Sequence, residues 1–122
     1  MDKLADIFAL QSALQTRIKE ERHLQDVPME VWIQKELLAL MSEMSEVLDE
    51  VNFKWWKNPQ PINQNALKEE LIDMLHFWVS MCLETGMTAD EVHQRYVQKN
   101  QENHDRQSGT SQKTGYAVQE AE

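Results

Sequence analysis

The segment ELLALMSEMSEVLDE at residues 36–50 decides the fold, together with LKEELIDMLHFWV at residues 67–79. In both segments the apolar residues recur at intervals of three and four, which is the period of an α-helix that buries one face. Acidic residues interrupt those apolar faces. The sequence therefore predicts two amphipathic helices that carry carboxylates where burial is expected.

The rest of the chain extends this pattern to an all-α fold. Pro28, the Asn58-Pro59-Gln60-Pro61 run and Gly86 separate the periodic segments, because proline and glycine end helices. Thr88 with Glu91 predicts a capping box. Four helices are predicted, over residues 2–24, 29–51, 65–84 and 88–106. We expect a four-to-five-helix bundle with a helical domain over residues 1–107 and a flexible tail over 108–122.

The composition excludes several classes of protein. The chain has 122 residues, with 12 Lys+Arg against 21 Asp+Glu and a net charge of −9, so no stable nucleic-acid partner is expected. Three glycines and three prolines are too few for the turns of an all-β fold. No secretory signal and no bilayer-spanning run is recognised, so we predict a cytoplasmic protein without a membrane partner.

Two pairs of acids carry the chemical signal. Glu43 and Glu46 are one turn apart on the second helix, and Glu70 and Asp73 repeat that spacing on the third. If the two helices are antiparallel, four carboxylates meet, and their repulsion calls for a hard divalent cation such as Mg²⁺. The alternative is a solvated acidic face on a non-catalytic interaction module. Three other acids on these helices are expected at the surface: Glu36, Glu50 and Glu69.

With these two acidic pairs, the sequence resembles the all-α nucleotide pyrophosphohydrolases, which include MazG-like enzymes and the dimeric dUTP diphosphatases. The two acidic pairs resemble their metal-binding signature. Further matching blocks resemble the second group in particular. They are Leu10-Gln11, Leu14-Gln15, FKWWK at residues 53–57, ELIDMLHF at 70–77, Lys99-Asn100, Asn103, Arg106-Gln107 and Gly115-Tyr116.

The resemblance implies hydrolysis of dUTP to dUMP and pyrophosphate by a homo-oligomer, either a dimer or a dimer of dimers. Two or three Mg²⁺ ions per site would be held by Glu43, Glu46, Glu70 and Asp73, with Glu46 activating the water. The implied phosphate-binding residues are Lys99, Asn103, Arg106, Lys54, Lys57 and Tyr116. The implied base-binding residues are Gln11, Gln15, Trp55 and Trp56.

Two departures from the family pattern concern substrate choice. The family typically has asparagine where this chain has Gln15, and residues 108–114 intervene before Gly115-Tyr116. A MazG-like enzyme of different or broader base specificity is therefore the main alternative. One of the two loop tryptophans is expected to anchor the loop to the core and the other to face a ligand. His76 is expected to be hydrogen-bonded within the helical domain rather than to bind a metal.

Overall fold

The computed structural model describes residues 2–119 and contains four helices: α1 (Lys3–Glu21), α2 (Met29–Glu50), α3 (Gln64–Glu84) and α4 (Ala89–Ser108). No strand occurs within residues 2–119. The all-α prediction is confirmed, and each helix end lies within three residues of its predicted position. None of the described helices is long and apolar enough to cross a membrane.

The helix ends follow from local sequence. Asp2, Asn63 and Thr88 precede α1, α3 and α4, and the side chain of each accepts a hydrogen bond from a backbone N–H three residues on. Such caps satisfy donors that the first helical turn leaves free. At its other end α4 stops at Gly109, whose φ of 77° is left-handed, a conformation that costs glycine little.

The chain forms two compact units, one up to Met87 and one from Thr88 onward, and each is described by itself. In the first unit, α3 contacts both α2 and α1. Glu43 and Glu46 of α2 lie near Glu70, at the beginning of α3, whereas the earlier Glu36 contacts Ser80, near the end of α3. The two helices therefore run antiparallel, as predicted.

The hydrophobic core of the described residues is small, with four buried hydrophobic side chains: Phe8, Trp32, Val79 and Cys82. Three polar side chains are buried among them: Gln11, Gln15 and Ser80. Large apolar side chains stay exposed on all three helices of the first unit, including Leu10, Leu38, Met41, Leu71 and Ile72. Hydrogen bonds that involve Gln15 and Ser80 link α3 to α1 and α2.

In the second unit, the segment after α4 folds back on the last turns of that helix. The Ser111 hydroxyl donates to the Glu102 carboxylate over 2.5 Å. The Arg106 guanidinium lies 5.4 Å from the centre of the Tyr116 ring, within the range of a cation–π contact. Residues 120–122 of the predicted tail lie outside the described residues. From the sequence we also expect that nucleotide binding orders this tail, and that expectation stays a prediction.

Candidate active site

Three carboxylates converge where α2 and α3 meet. Glu43, Glu46 and Glu70 each offer one oxygen, and these oxygens all lie within 4.8 Å of one another. The first two are one turn apart on α2, and the third stands in the second turn of α3. Glu43 and Glu70 are half-buried and Glu46 is exposed. The antiparallel packing thus makes one cluster from residues that are far apart in sequence.

The electrostatics of this cluster fit a cation. When Glu70 is protonated, it can donate a hydrogen bond to the carboxylate of Glu43 or to that of Glu46. These two interactions, with Glu43 contributing more, and partial burial raise the pKa of Glu70 to about 7. Oε2 of Glu43 and Oε2 of Glu70 are buried without a hydrogen-bond partner. Hard divalent cations prefer oxygen ligands, and carboxylate oxygens that have no hydrogen-bond donor are free to bind one. We therefore find that the three residues suit Mg²⁺.

Asp73 does not belong to this group of three. It is exposed and stands one turn beyond Glu70 on α3. Four converging carboxylates were expected from the sequence, and the structure brings three within 4.8 Å. A ligand role for Asp73 stays a prediction.

A second polar cluster was missed by sequence analysis. The Ser80 hydroxyl donates to Oε1 of Glu36 over 2.9 Å, and the Trp32 indole N–H donates to that hydroxyl over 3.4 Å. Burial raises the pKa of Glu36, which is half-buried. The expectation that Glu36 lies at the surface is therefore wrong. A usable signal was Ser80, a small polar residue in the apolar run of α3.

The two glutamines of α1 face α3. Oε1 of Gln11 lies 2.7 Å from Nδ1 of His76. Nε2 of Gln15 donates to Oε1 of Glu84 over 2.8 Å and to the backbone oxygen of Ser80 over 3.4 Å. Both glutamines are buried, so neither is an ordinary solvent-facing helix residue. His76 is hydrogen-bonded within the helical domain, as expected.

The loop between α2 and α3 is closed by Asn52. Its side chain accepts from the backbone N–H of Gln60 over 2.8 Å and donates to the Gln60 carbonyl over 2.9 Å.

The two tryptophans of this loop, Trp55 and Trp56, stand edge to face and are 86% and 63% exposed. The prediction that one of them anchors the loop to the core is therefore wrong.

The predicted phosphate-binding side chains fall into two groups. Lys54 and Lys57 line a loop depression of about 180 Å³. On α4, Lys99 and Asn103 are exposed, whereas Arg106 is held by Glu102, with 3.1 Å from Nε to Oε1. Because α4 belongs to the second unit, the role of its residues toward the carboxylate cluster stays a prediction.

The fold and the cluster define a class: an all-α protein whose antiparallel α2 and α3 bring three carboxylates together. The comparison with protein families then places the chain within that class. Residues 3–88 match the family model described as dUTPase, and the chain belongs to this family. The matched segment contains α1, α2, α3 and the whole cluster.

Two curated relatives are similar to part of the chain. The dCTP pyrophosphatase of Enterobacteria phage T4 is 33% identical over 87 residues, covering 60% of this chain and 51% of the relative. The dCTP pyrophosphatase of Enterobacteria phage LZ5 is 34% identical over 74 residues, covering 61% and 43%. The chain thus spans about half the length of the curated relatives it matches. No solved structure shows significant similarity to the chain.

Proposed function

We propose that the chain hydrolyses dUTP to dUMP and pyrophosphate with the help of Mg²⁺. The observation that carries this proposal is the cluster of Glu43, Glu46 and Glu70, with its buried, unpartnered oxygens. Membership of the dUTPase family supports uracil as the base. The second candidate substrate is dCTP, because both relatives are named dCTP pyrophosphatase. A MazG-like enzyme of broader base choice is the remaining enzymatic alternative.

In this mechanism the three clustered carboxylates and Asp73 would hold two or three Mg²⁺ ions. The bound ions would offset the charge of the triphosphate and lower the pKa of water. Glu46 is the general base, because it is the exposed member of the cluster. Its carboxylate takes a proton from the attacking water, whose oxygen bonds to the α-phosphorus. The bond from that phosphorus to the bridging oxygen breaks, and pyrophosphate leaves.

The remaining predicted residues bind the substrate. Arg106 suits a phosphate because a guanidinium can donate two parallel hydrogen bonds, and a lysine such as Lys99 acts as a point charge. Asn103, Lys54, Lys57 and Tyr116 complete the proposed phosphate-binding set. The exposed rings of Trp55 and Trp56 are available to stack on a base. Gln11 and Gln15 would contact the polar edge of that base.

We also propose a homo-oligomer, a dimer or a dimer of dimers. Four buried hydrophobic side chains among the described residues are a small core, and many large apolar side chains of α1, α2 and α3 stay exposed. Extended apolar surfaces on a soluble chain favour association. Sedimentation equilibrium at several concentrations should give a multiple of the 14.4 kDa chain mass. A mass of one chain throughout would contradict this part of the proposal.

The decisive experiment measures pyrophosphate release from a panel of deoxynucleoside and ribonucleoside triphosphates with Mg²⁺. We expect Glu46→Gln to lower kcat about 100-fold or more, as removal of a general base does. Glu69→Gln, an exposed acid outside the cluster, is the matched control and should keep wild-type activity. If the wild-type chain releases no pyrophosphate from any triphosphate, the non-catalytic interaction module is the better reading.

A further inference from the structure

Arg106, which belongs to the proposed phosphate-binding set, is held by residues of its own unit. We propose that Glu102 and Ser111 are positioning residues that hold the Arg106 guanidinium with its terminal nitrogens available to a phosphate. The inference rests on the proposed function, since it takes a nucleoside triphosphate as the ligand. It goes further because neither residue belongs to the predicted site, and Ser111 lies in residues 108–114, where the chain departs from the family pattern.

The segment after α4 fixes Ser111 beside that helix. The backbone N–H groups of Thr110 and Ser111 donate to the carbonyl oxygen of Asp105 over 2.9 and 3.3 Å. The Ser111 hydroxyl oxygen accepts from the backbone N–H of Lys113 over 3.1 Å. The same hydroxyl donates to Oε1 of Glu102 over 2.5 Å. Backbone contacts therefore hold Ser111 with its hydroxyl on the Glu102 carboxylate.

Glu102 connects this contact to Arg106. Its Oε1 accepts from the Ser111 hydroxyl and also from Nε of Arg106, the latter over 3.1 Å. Donation from Ser111, and then from Arg106, lowers the pKa of Glu102, so the carboxylate is ionised at neutral pH. The Arg106 side chain is only 16% exposed, whereas Arg95, in the corresponding i,i+4 pair with Glu91, is 67% exposed. Arg106 is thus held more closely than the arginine of an ordinary surface ion pair.

Among the described residues, no close contact is made by the terminal edge of the Arg106 guanidinium. Its central carbon lies over the Tyr116 ring, 5.4 Å from the ring centre, which is within the range of a cation–π contact. Nε is taken by Glu102. Nη1 makes only a 3.5 Å contact with Oδ1 of Asn103, and Nη2 donates to no protein group within residues 2–119. The two terminal nitrogens can therefore donate parallel hydrogen bonds to one phosphate.

Glu102 has two opposing effects on phosphate binding. An arginine side chain has many rotamers, and one that is already ordered loses less conformational entropy when it binds a ligand. The Glu102 carboxylate also repels a phosphate, but it contacts Nε rather than the terminal nitrogens. Its side chain is 37% exposed, so solvent ions screen this repulsion. We therefore expect the ordering of Arg106 to exceed the repulsion.

The test changes each contact in the full chain. Glu102→Ala removes the acceptor, Glu102→Gln keeps an oxygen that can accept but removes the charge, and Ser111→Ala removes the hydroxyl. Glu91→Ala and Ser108→Ala are the matched controls, since Glu91 forms the corresponding pair earlier in α4 and Ser108 is exposed. We would measure kcat and KM with dUTP and dCTP, and by calorimetry the Kd of an α,β-imido analogue of dUTP with Mg²⁺. Each variant would also be made in an Arg106→Ala background.

We expect Glu102→Ala and Ser111→Ala to raise KM and Kd about 5-fold, as loss of one hydrogen bond does, with kcat nearly unchanged. Glu102→Gln should stay within about 2-fold of wild type, because its side-chain oxygen can still accept from Nε. In the Arg106→Ala background neither alanine substitution should raise Kd further, since the side chain that they position is gone. The controls should match wild type.

A fall of KM and Kd in both Glu102 variants would show that the carboxylate competes with phosphate, and it would overturn the inference. Unchanged values, or an equal rise with and without Arg106, would overturn it as well. The proposed function fails separately. If the wild-type chain binds the analogue but releases no pyrophosphate from any triphosphate, hydrolysis is refuted while the Kd comparison still decides the positioning role. If it neither binds nor hydrolyses, both are refuted.

Discussion

Among single residues, Glu36 shows how burial in the small core affects a charge. One of its oxygens accepts from Ser80, and the other is buried without a partner. Desolvation is the main reason that the pKa of Glu36 is raised, and the nearby Glu84 carboxylate adds to it, whereas Lys19 opposes it. The folded state therefore favours the protonated form of this carboxyl.

This gives a pH-dependent prediction for Glu36→Gln. A carboxyl whose pKa is higher in the folded state than in the unfolded state stabilises the folded state at pH values below the unfolded pKa. This stabilisation is lost as the pH rises through the folded pKa. The glutamine stays neutral at every pH. The difference in Tm, variant minus wild type, should therefore increase as the pH is raised from 4 to 8. Thermal denaturation across this range checks it, with Glu69→Gln expected to follow wild type. A parallel pH profile for Glu36→Gln would contradict the assignment.

Arg106 gives a second prediction at this scale. We expect Arg106→Ala to raise KM for the triphosphate about 10-fold, because a charge-assisted contact to phosphate is lost, while circular dichroism stays unchanged. Arg95→Ala is the control, since Arg95 forms the same i,i+4 ion pair with Glu91 on an exposed part of α4. An unaltered KM in Arg106→Ala would refute the phosphate role.

The sequence predicted some of these residue-level features and not others. Glu43, Glu46 and Glu70 were predictable because their spacing on amphipathic helices is local information. The partner of Gln11 was not, since His76 is 65 residues away in the chain and helical period alone does not fix which side chains meet. For the same reason the sequence could not show that Glu36 packs against Ser80.

Among the helices, α3 connects the carboxylate cluster with the buried polar contacts of its unit. It carries Glu70 near its start and His76, Ser80 and Glu84 further on, and it contacts both other helices of its unit. Its start was predictable because prolines end the preceding loop. Which apolar faces would be covered was not predictable, because period distinguishes an apolar face from a polar one but does not identify what packs on it. The exposed Leu38 and Met41 on α2 are the clearest case.

The cap of α3 can be tested directly. Oδ1 of Asn63 accepts from a backbone N–H of the first turn over 3.1 Å, so Asn63→Ala should lower the free energy of unfolding by about 1 kcal/mol. Urea denaturation measures this change, and the m-value should stay constant. Gln64→Ala, at the first residue of the helix, is the neighbouring control and should change stability by much less.

For the whole molecule, cation binding should appear as added stability. In our proposal, Mg²⁺ with a non-hydrolysable triphosphate binds the folded state and not the unfolded state, so Tm should rise with ligand concentration. At a ligand concentration of 100 times Kd, the free energy of unfolding should increase by about 2.7 kcal/mol. Glu70→Gln should abolish most of the shift by removing one ligand of the cluster. Glu69→Gln, the adjacent exposed acid, should retain it. A full shift in Glu70→Gln would contradict the metal assignment.

The clasp that Asn52 forms with the backbone of Gln60 has an evolutionary consequence. Because both hydrogen bonds are made at the two ends of the loop, the intervening stretch can vary without disturbing where α2 ends or α3 begins. Asn52 itself tolerates its φ of 59° better than most residues would. Aromatic and basic residues between Asn52 and Gln60 can therefore be substituted while α2 and α3, which carry the carboxylates, keep their ends.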